Sequence, residues 1–238
     1  MNPFSGVAPA FPYLCGECRE SLPWKDSEYS CRACGSQTTE PERLRCPLCA
    51  DREHQLERVW CAFHYVEHVR QWILSLKYRR NESLAHMLGA LLHHGEGNSP
   101  PPGDYDLVLP VPLHPRRLRQ RGFNQSYLLA HAWRCRHESA LRPALRTDIL
   151  RRHRHTRPQV ELPASERAAN VAAAFSLCPQ VGAAPAGTGE SATDAPLAGK
   201  RVLLVDDLMT TGATLSACAA TLRDAGAADV DAFVLARA

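Results

Sequence analysis

The most informative stretch of the sequence is VLLVDDLMTTGAT at residues 202–214. Four apolar residues indicate a buried strand, two acids follow at its end, and a threonine- and glycine-rich loop then leads into a helix. Carboxylates accept hydrogen bonds from ribose hydroxyls, while threonine hydroxyls and the backbone N–H groups at a helix start bind phosphate. The pattern therefore predicts a site for a phosphorylated ribose, with Asp206 and Asp207 as its acids.

A second set of reactive side chains lies near the start of the chain, where six cysteines form three C-x-x-C pairs. Such a pair directs two thiolates at one point, and two pairs complete the tetrahedron of a structural zinc. The leading pairs are Cys31/Cys34 and Cys46/Cys49, and Gly35 permits the left-handed turn that often closes such a knuckle. These four cysteines are the predicted zinc ligands.

The remaining pair, Cys15 and Cys18, has several alternative roles. It could join Cys46 and Cys49, or recruit Cys61 or His54 to a second ion. Disulfides fit poorly in a cytoplasmic protein, and a redox C-x-x-C normally opens a helix in a βαβ unit, whereas these pairs are expected in loops.

Arginine dominates the basic residues, because only three of the 28 lysines and arginines are lysines. One interpretation is a GC-rich coding sequence with a solvated arginine surface, and the other is phosphate recognition by guanidinium groups. Arginines with nearby aromatic rings, such as Phe123 and Trp133, could hold single-stranded DNA through phosphates and stacked bases. One cluster contains Arg116, Arg117, Arg119 and Arg121, and the other contains Arg142, Arg146, Arg151, Arg152, His153, Arg154, His155 and Arg157.

The elements that must position these groups alternate between helix and strand. Apolar spacing predicts helices at 69–76 and 84–92, with further helices at 124–134, 165–175 and 214–225. Short apolar runs predict strands at 106–111, 145–150, 201–205 and 230–235. This alternation predicts an α/β fold with a mainly parallel sheet flanked by helices.

The domain organisation follows from composition. Residues 1–60 are rich in cysteine and too polar to fold by apolar burial alone, which predicts a small zinc-stabilised domain. Residues 61–238 form the larger domain, with 178–199 as a flexible insertion rich in small residues. No apolar run approaches the roughly 18 residues of a membrane span, and prolines interrupt the apolar N-terminus, so we expect no signal peptide and a cytoplasmic location.

The sequence resembles the ComF family. VLLVDDLMTTGATL (202–215) is similar to the motif by which type I phosphoribosyltransferases bind 5-phosphoribosyl 1-pyrophosphate (PRPP). The segments ILSLKYRR (73–80), LPVPLHPRRLRQRGFNQS (109–126) and TRPQVELPASERAANVAAAF (156–175) narrow the resemblance to that family. It implies an N-terminal zinc ribbon, a phosphoribosyltransferase-like fold, Mg²⁺ with PRPP, and a link to the uptake of transforming DNA.

The resemblance also implies roles for individual residues. Asp206 and Asp207 would hold the ribose, and the 5′-phosphate would contact Thr210, Thr211, Gly212, Ala213 and Thr214. The pyrophosphate would face His114, Arg116 and Arg117. Further candidate contacts, on segments 116–125 and 156–170 and in the helix before them, are Arg121, Asn124, Gln125, Gln159, Arg167, Asn170 and Lys77. Many family members carry another C-x-x-C pair before the one that matches Cys15/Cys18, and this sequence does not.

Two functions are therefore expected. The first is a PRPP-binding protein that acts in DNA uptake, binds single-stranded DNA and works with proteins of the uptake machinery. The second is an active phosphoribosyltransferase that acts on a nucleobase or another nitrogen nucleophile without a direct role with DNA. The sequence indicates no clear segment for recognising an acceptor base.

Overall fold

Buried apolar segments form the strands of two sheets. A computed structural model describes residues 14–40, 45–50, 54–78, 81–94, 97–154, 171, 173–179 and 197–238. The strands are β1 (Val59–His64), β2 (Leu107–Pro110), β3 (Ala144–Leu145), β4 (Leu150–Arg152), β5 (Phe175–Leu177), β6 (Arg201–Met209) and β7 (Asp229–Arg237). The central sheet has five parallel strands in the order β1-β7-β6-β2-β3, and β4 and β5 form an antiparallel pair.

The helices include longer ones that cover both faces of this sheet and two short ones in the cysteine-rich segment. They are α1 (Gly16–Glu20), α2 (Pro47–Ala50), α3 (Glu67–Tyr78), α4 (Glu82–His94), α5 (Pro115–Arg121), α6 (Gln125–Arg134) and α7 (Ala213–Asp224), with 3-10 turns at Pro102–Asp104 and Ser139–Leu141. The predicted α/β fold with a parallel sheet is therefore confirmed. None of the described helices is both long enough and apolar enough to span a membrane.

Strand β6 shows how the sheet divides the core into two halves. Val202 and Leu204 pack on the face that carries α7 and the β4–β5 pair. Leu203 and Val205 pack on the opposite face against α3, α4 and α6. Successive side chains of a strand point to opposite faces, so a run of apolar residues is buried on both sides. All strands of this sheet end at the same edge, which is where a ligand site is expected.

Helices α4 and α6 approach each other unusually closely at Gly89. A Cβ atom built on Gly89 would lie 2.2 Å from the Cβ of Ala132 on α6. Real Cβ atoms do not approach this closely, so the contact requires a glycine. The position of α6 over the sheet therefore depends on residue 89 being a glycine.

Some elements differ from the sequence predictions. β1 was not predicted, because it follows directly on the cysteine-rich segment; it pairs with β7 at the edge of the sheet. β6 continues to Met209 instead of ending at residue 205, because β7 pairs with it along its length. The predicted strand at 145–150 is replaced by β3 and β4, which belong to different sheets.

Two predictions fall largely outside the described residues. Most of the helix predicted at 165–175 lies there, although Phe175 itself begins β5. Residues 180–196 of the insertion predicted at 178–199 also lie there, but Leu197 is buried and its N–H donates to the carbonyl of Ala225 at 3.1 Å. The end of that segment is therefore part of the packed fold.

Candidate functional site

The two acids lie in the second half of β6 and are both largely removed from solvent. Asp207 is 3% exposed, and its Oδ2 lies 2.6 Å from the Nζ of Lys77 on α3. The Nε2 of Gln125 donates to Oδ1 of Asp207 at 3.2 Å. Burial alone raises the pKa of this carboxyl, but the Lys77 ammonium and the two hydrogen bonds outweigh it and lower the pKa. Asp207 is therefore held in the ionised form.

Asp206 has a different environment although it is the next residue. Its Oδ1 accepts a hydrogen bond of 2.8 Å from the Oγ of Ser126, at the start of α6. Burial and the neighbouring Asp207 charge raise the pKa of Asp206 to about 7. One carboxylate of the pair is thus ionised, and the other gains or loses a proton near neutral pH.

Helix α6 presents Gln125 and Ser126 to the acids because Asn124 fixes its first turn. Oδ1 of Asn124 accepts from the N–H of Ser126 at 3.0 Å, and Nδ2 donates to the carbonyl of Val111 at 3.0 Å. Asn124 therefore caps the helix and ties it to the end of β2. It does not line the cleft beside the acids. Gln125 is among the residues that the sequence indicates, whereas nothing in the sequence marks Ser126, whose contact with Asp206 spans 80 positions.

A loop after β6 forms another wall of the cleft and leads into α7. Gly212 adopts φ 80°, and a Cβ there would lie 2.5 Å from the Cε of Met209. The left-handed conformation favours a glycine at this position, whereas the flexible end of the Met209 side chain could shift to admit a Cβ. Thr210, Gly212 and Thr214 line the cleft, whereas Thr211 is exposed and neither it nor Ala213 lines it. The loop and the first N–H groups of α7 form an arrangement that suits a phosphate.

Cationic side chains complete the cleft, and one of them was assigned elsewhere by the sequence analysis. Lys77, Arg117, Arg121 and Arg152 all line it. Arg152 on β4 is 8% exposed, with its guanidinium carbon 5.3 Å from the ring centroid of Phe175. The sequence places Arg152 in the second arginine cluster, because its distance from the acids in the fold cannot be read from the sequence.

Two of the predicted pyrophosphate contacts lie outside this cleft lining. His114 precedes α5, and its Nδ1 accepts a hydrogen bond of 3.2 Å from the N–H of Arg116. The side chain of Arg116 is exposed. Arg121 links α5 to the acids, since its Nη1 donates to Oε1 of Gln125 at 3.0 Å. Gln159, Arg167 and Asn170 lie outside the described residues and stay predictions.

The second predicted centre is a buried four-cysteine cluster. The Sγ atoms of Cys31, Cys34, Cys46 and Cys49 all lie within 4.8 Å of one another, and those of Cys34 and Cys46 are 3.8 Å apart. A tetrahedron with Zn–S distances of about 2.3 Å has S–S edges of about 3.8 Å. Gly35 adopts the predicted left-handed conformation at φ 66°. These residues fit a tetrahedral metal ion.

The cluster also carries supporting contacts from the protein. The N–H of Cys46 donates to the Sγ of Cys31 at 3.2 Å. Lys25 is 6% exposed, and its ammonium group donates to the carbonyl of Gly35. Burial lowers the pKa of Lys25. A cation near four thiolates offsets part of their charge when a metal is bound.

Cys15 and Cys18 are not part of this cluster. Both are exposed, and the N–H of Cys18 contacts the Sγ of Cys15 at 3.4 Å. Within the described ranges, no third cysteine, histidine or acid joins them to form a metal group. The two suggested partners are engaged elsewhere, because Cys61 is buried in β1 and His54 contacts the carbonyl of Cys49 at 3.1 Å.

The arginine clusters differ in their availability for nucleic acid. Arg146 forms two contacts of 2.7 Å with Asp148, and Arg142 donates to the carbonyl oxygens of His137 and Cys135. Trp133 is 0% exposed, and its Nε1 donates to the Oγ of Ser99 at 3.0 Å. The expectation that Trp133 stacks on bases is therefore wrong, because its ring fills the core under α6.

Comparisons with known proteins agree with this geometry. A model of the phosphoribosyl transferase domain matches residues 166–238, which include the acid pair, the loop and α7. Competence protein F of Haemophilus influenzae is 29% identical over 231 residues, covering 94% of this chain and 90% of that protein. The DNA utilization protein YhgH of Escherichia coli O6:H1 is 28% identical over 235 residues, with the same coverage of both chains. The YhgH protein of Salmonella typhimurium is equally similar, at 28% over 235 residues.

These relatives match along nearly the whole chain, so the likeness includes the cysteine segment as well as the domain with the acids. The cleft, the cysteine cluster and the matched domain occur together in one polypeptide. These comparisons support the resemblance to the ComF family that the sequence motifs indicate, and the C-terminal part of the chain matches a phosphoribosyl transferase domain.

Proposed function

We propose that this protein binds PRPP in the cleft at the end of β6 and handles single-stranded DNA during DNA uptake. The observation that carries the proposal is the position of the acid pair. Asp206 and Asp207 line the same cleft as Thr210, Gly212 and Thr214. Acids for the ribose and N–H groups for a phosphate therefore face one volume, as a phosphorylated ribose requires.

Each part of PRPP contacts a different group of residues in the cleft. The carboxylates of Asp206 and Asp207 accept hydrogen bonds from the two ribose hydroxyls. The N-terminal turn of α7, with Thr210 and Thr214, takes the 5′-phosphate, and the arginines that follow β2 face the pyrophosphate. Mg²⁺ bound with the pyrophosphate would neutralise its charge.

For the cysteine cluster we propose a structural zinc ion. Cys31, Cys34, Cys46 and Cys49 supply four sulfur ligands, which is the donor set typical of structural zinc sites. We further propose a zinc-ribbon domain over residues 1–60 and a larger domain over residues 61–238, with the boundary between them close to the start of β1. Reduced thiols of this kind are typical of the cytoplasm, and we propose that location.

The proposed role with DNA rests on the relatives and on helix α5. One relative is named a competence protein and others are named DNA utilization proteins. Arg116 and Arg119 on α5 are exposed and lie beside the cleft residues Arg117 and Arg121. A row of arginines on one short helix can contact several phosphates of a strand. We propose proteins of the uptake machinery as further partners.

The experiment is a calorimetric titration of the purified protein with PRPP in the presence of Mg²⁺. We expect binding, and at pH 8, where Asp206 is ionised, we expect the Asp206→Asn variant to lose at least about ten-fold in affinity, because a ribose hydroxyl loses its charged acceptor. The control is Asp148→Asn, which changes an exposed carboxylate paired with Arg146. Equal affinities for wild type and Asp206→Asn would contradict the assignment.

A second candidate function is transfer of the phosphoribosyl group to a nitrogen nucleophile, which the match to a phosphoribosyl transferase domain favours. The same purified protein can be supplied with PRPP, Mg²⁺ and a panel of nucleobases. Release of pyrophosphate that depends on one base would establish transfer, and its absence with intact PRPP binding would favour a binding role.

A further inference from the structure

Tyr78 occupies a position that no predicted role explains. It is the last residue of α3, it directly follows Lys77, and its side chain is 70% exposed. A ring this exposed contributes little to the core, unlike Trp133. Tyr78 lines the cleft of the acid pair and also a second depression on the neighbouring surface. The ring therefore stands at the boundary between the two.

The second depression has the chemical character of a site for a flat, partly polar ring. Its lining combines apolar and polar groups from α3, α4 and their junction: Gln71, Trp72, Leu74, Ser75, Tyr78, Asn81 and Leu84. Trp72 is held by Phe63 and His68, with ring centroids 5.9 and 5.4 Å away. The carboxamide of Asn81 is exposed and offers N–H donors of the kind that base edges accept.

The positive charge next to this depression indicates that a molecule whose ring binds there also carries negative charge. The guanidinium carbon of Arg121 lies 5.4 Å from the centroid of the Tyr78 ring. Arg121 ends helix α5, which also carries Arg116 and Arg119 on its exposed surface. Single-stranded nucleic acid is bound by this combination, because cations contact its phosphates and aromatic rings stack on its bases.

We infer that Tyr78 is a stacking platform for one unpaired base of single-stranded DNA, whose phosphates follow the arginines of α5. This inference rests on the proposed function and names the place on the protein where the strand is held. Because Tyr78 lines the same cleft as Lys77 and Asp207, the stacked base would lie at the edge of that cleft. Arg121 then belongs to both sites, because it contacts the Tyr78 ring and donates to Gln125, the partner of Asp207.

The test separates base contacts from phosphate contacts. Fluorescence anisotropy would compare an oligothymidylate with an abasic oligonucleotide of equal length and charge, using wild type, Tyr78→Ala and Tyr78→Phe. We expect wild type to prefer the strand with bases, and Tyr78→Ala to lose roughly 5- to 100-fold of affinity for that strand only. Tyr78→Phe should retain the preference, because it keeps the ring. The dependence of affinity on salt should be the same in all three proteins.

The control is Tyr127→Ala, which removes another exposed tyrosine, on α6, whose ring lies 5.8 Å from that of His131. It should bind both oligonucleotides as wild type does. The inference is overturned if Tyr78→Ala retains the full preference for bases while its thermal unfolding matches wild type. It is also overturned if free thymine binds in a Tyr78-dependent way and the strands do not, since the occupant would then be a free base. If wild type binds neither strand, the proposed role with DNA fails as well.

Discussion

The ammonium group of Lys77 and the carboxylate of Asp207 form an ion pair of 2.6 Å between α3 and the end of β6. The two residues are far apart in sequence, and their contact joins the first helix after β1 to the centre of the sheet. Burial alone lowers the pKa of Lys77, but Asp207 outweighs it and raises the pKa. Each group favours the charged form of the other, so both stay ionised in a cleft where a polyanion is proposed to bind.

Replacing Lys77 by methionine should destabilise the fold, because it leaves the buried Asp207 carboxylate without its cation. We expect the free energy of unfolding in urea to fall by about 3 kcal/mol. The double variant Lys77→Met with Asp207→Asn should recover much of this loss, since no uncompensated charge remains. A double variant as unstable as the single one would show that the ion pair is not the cause.

Asp206 should make the stability of the protein depend on pH in a defined direction. Its folded-state pKa of about 7 lies above the ordinary value of an aspartate, so the protonated form is favoured in the folded state. The contribution of protonated Asp206 to the stability of the fold is complete below pH about 4 and is lost as the pH rises through 7. Asp206→Asn removes this dependence and can still accept from Ser126.

Relative to wild type, Asp206→Asn should therefore gain stability on going from pH 5 to pH 8, by on the order of 2–3 kcal/mol. Chemical unfolding at a series of pH values measures this difference. The exposed Asp148, replaced by asparagine, serves as the comparison. A constant difference between wild type and Asp206→Asn across this range would show that Asp206 titrates normally.

Arg151 and Arg152 are neighbours on β4, but only Arg152 should contribute to PRPP binding. Arg152 is buried in the cleft, whereas Arg151 is exposed and its Nε donates to the Oγ of Ser176 at 3.0 Å. Arg152→Gln should weaken PRPP binding by roughly 10-fold or more, as expected when a charged group loses a hydrogen bond. Arg151→Gln should leave it within about two-fold. Calorimetry on both variants decides, and equal losses would refute the distinction.

Metal removal should affect more than the cysteine segment. The four cysteines share one buried cluster with Val59 and Cys61 of β1 and with residues of α7. We expect one zinc per chain, and we expect a strong chelator or Cys31→Ser to lower the unfolding temperature of the whole protein by at least several degrees. Cys135→Ser, at an exposed cysteine outside the cluster, should change neither zinc content nor unfolding temperature.

Binding of single-stranded DNA should weaken steeply with salt through the arginines of α5. Each neutralised phosphate contributes about −0.7 to the slope of log affinity against log salt concentration. Replacing Arg116 and Arg119 by glutamine should therefore make the slope less steep by about 1.4. Arg142→Gln is the comparison, because its guanidinium group is engaged by backbone carbonyls. An unchanged slope in the double variant would place the strand elsewhere.

The sequence predicts best what is encoded in consecutive residues. The strand, the acid pair, the glycine turn and α7 all lie within residues 201–224, so their pattern could be recognised without the fold. The two cysteine knuckles were found for the same reason. Each is a short motif in which the spacing itself sets the geometry.

Contacts between distant segments could not be predicted in this way. Ser126 reaches Asp206, and Arg152 enters the cleft, only because α6 and β4 lie beside the end of β6. The burial of Trp133 could not be predicted, because a tryptophan in an arginine-rich segment has no sequence feature that distinguishes a core ring from a surface ring. β1 was missed because its apolar run directly follows the cysteine-rich residues.

The absence of a side chain at Gly89 has a consequence for how the site can evolve. The last turns of α6 rest against that position, and the first turn of the same helix, about 9 Å away, carries the side chains that contact the acids. A methyl group at residue 89 would displace α6 as a whole, because a helix moves as a rigid unit. Gln125 and Ser126 would then shift away from Asp207 and Asp206. The constraint imposed by the ligand thus extends to a residue that touches no ligand, so tolerated variation on α4 is narrower than its distance from the chemistry suggests.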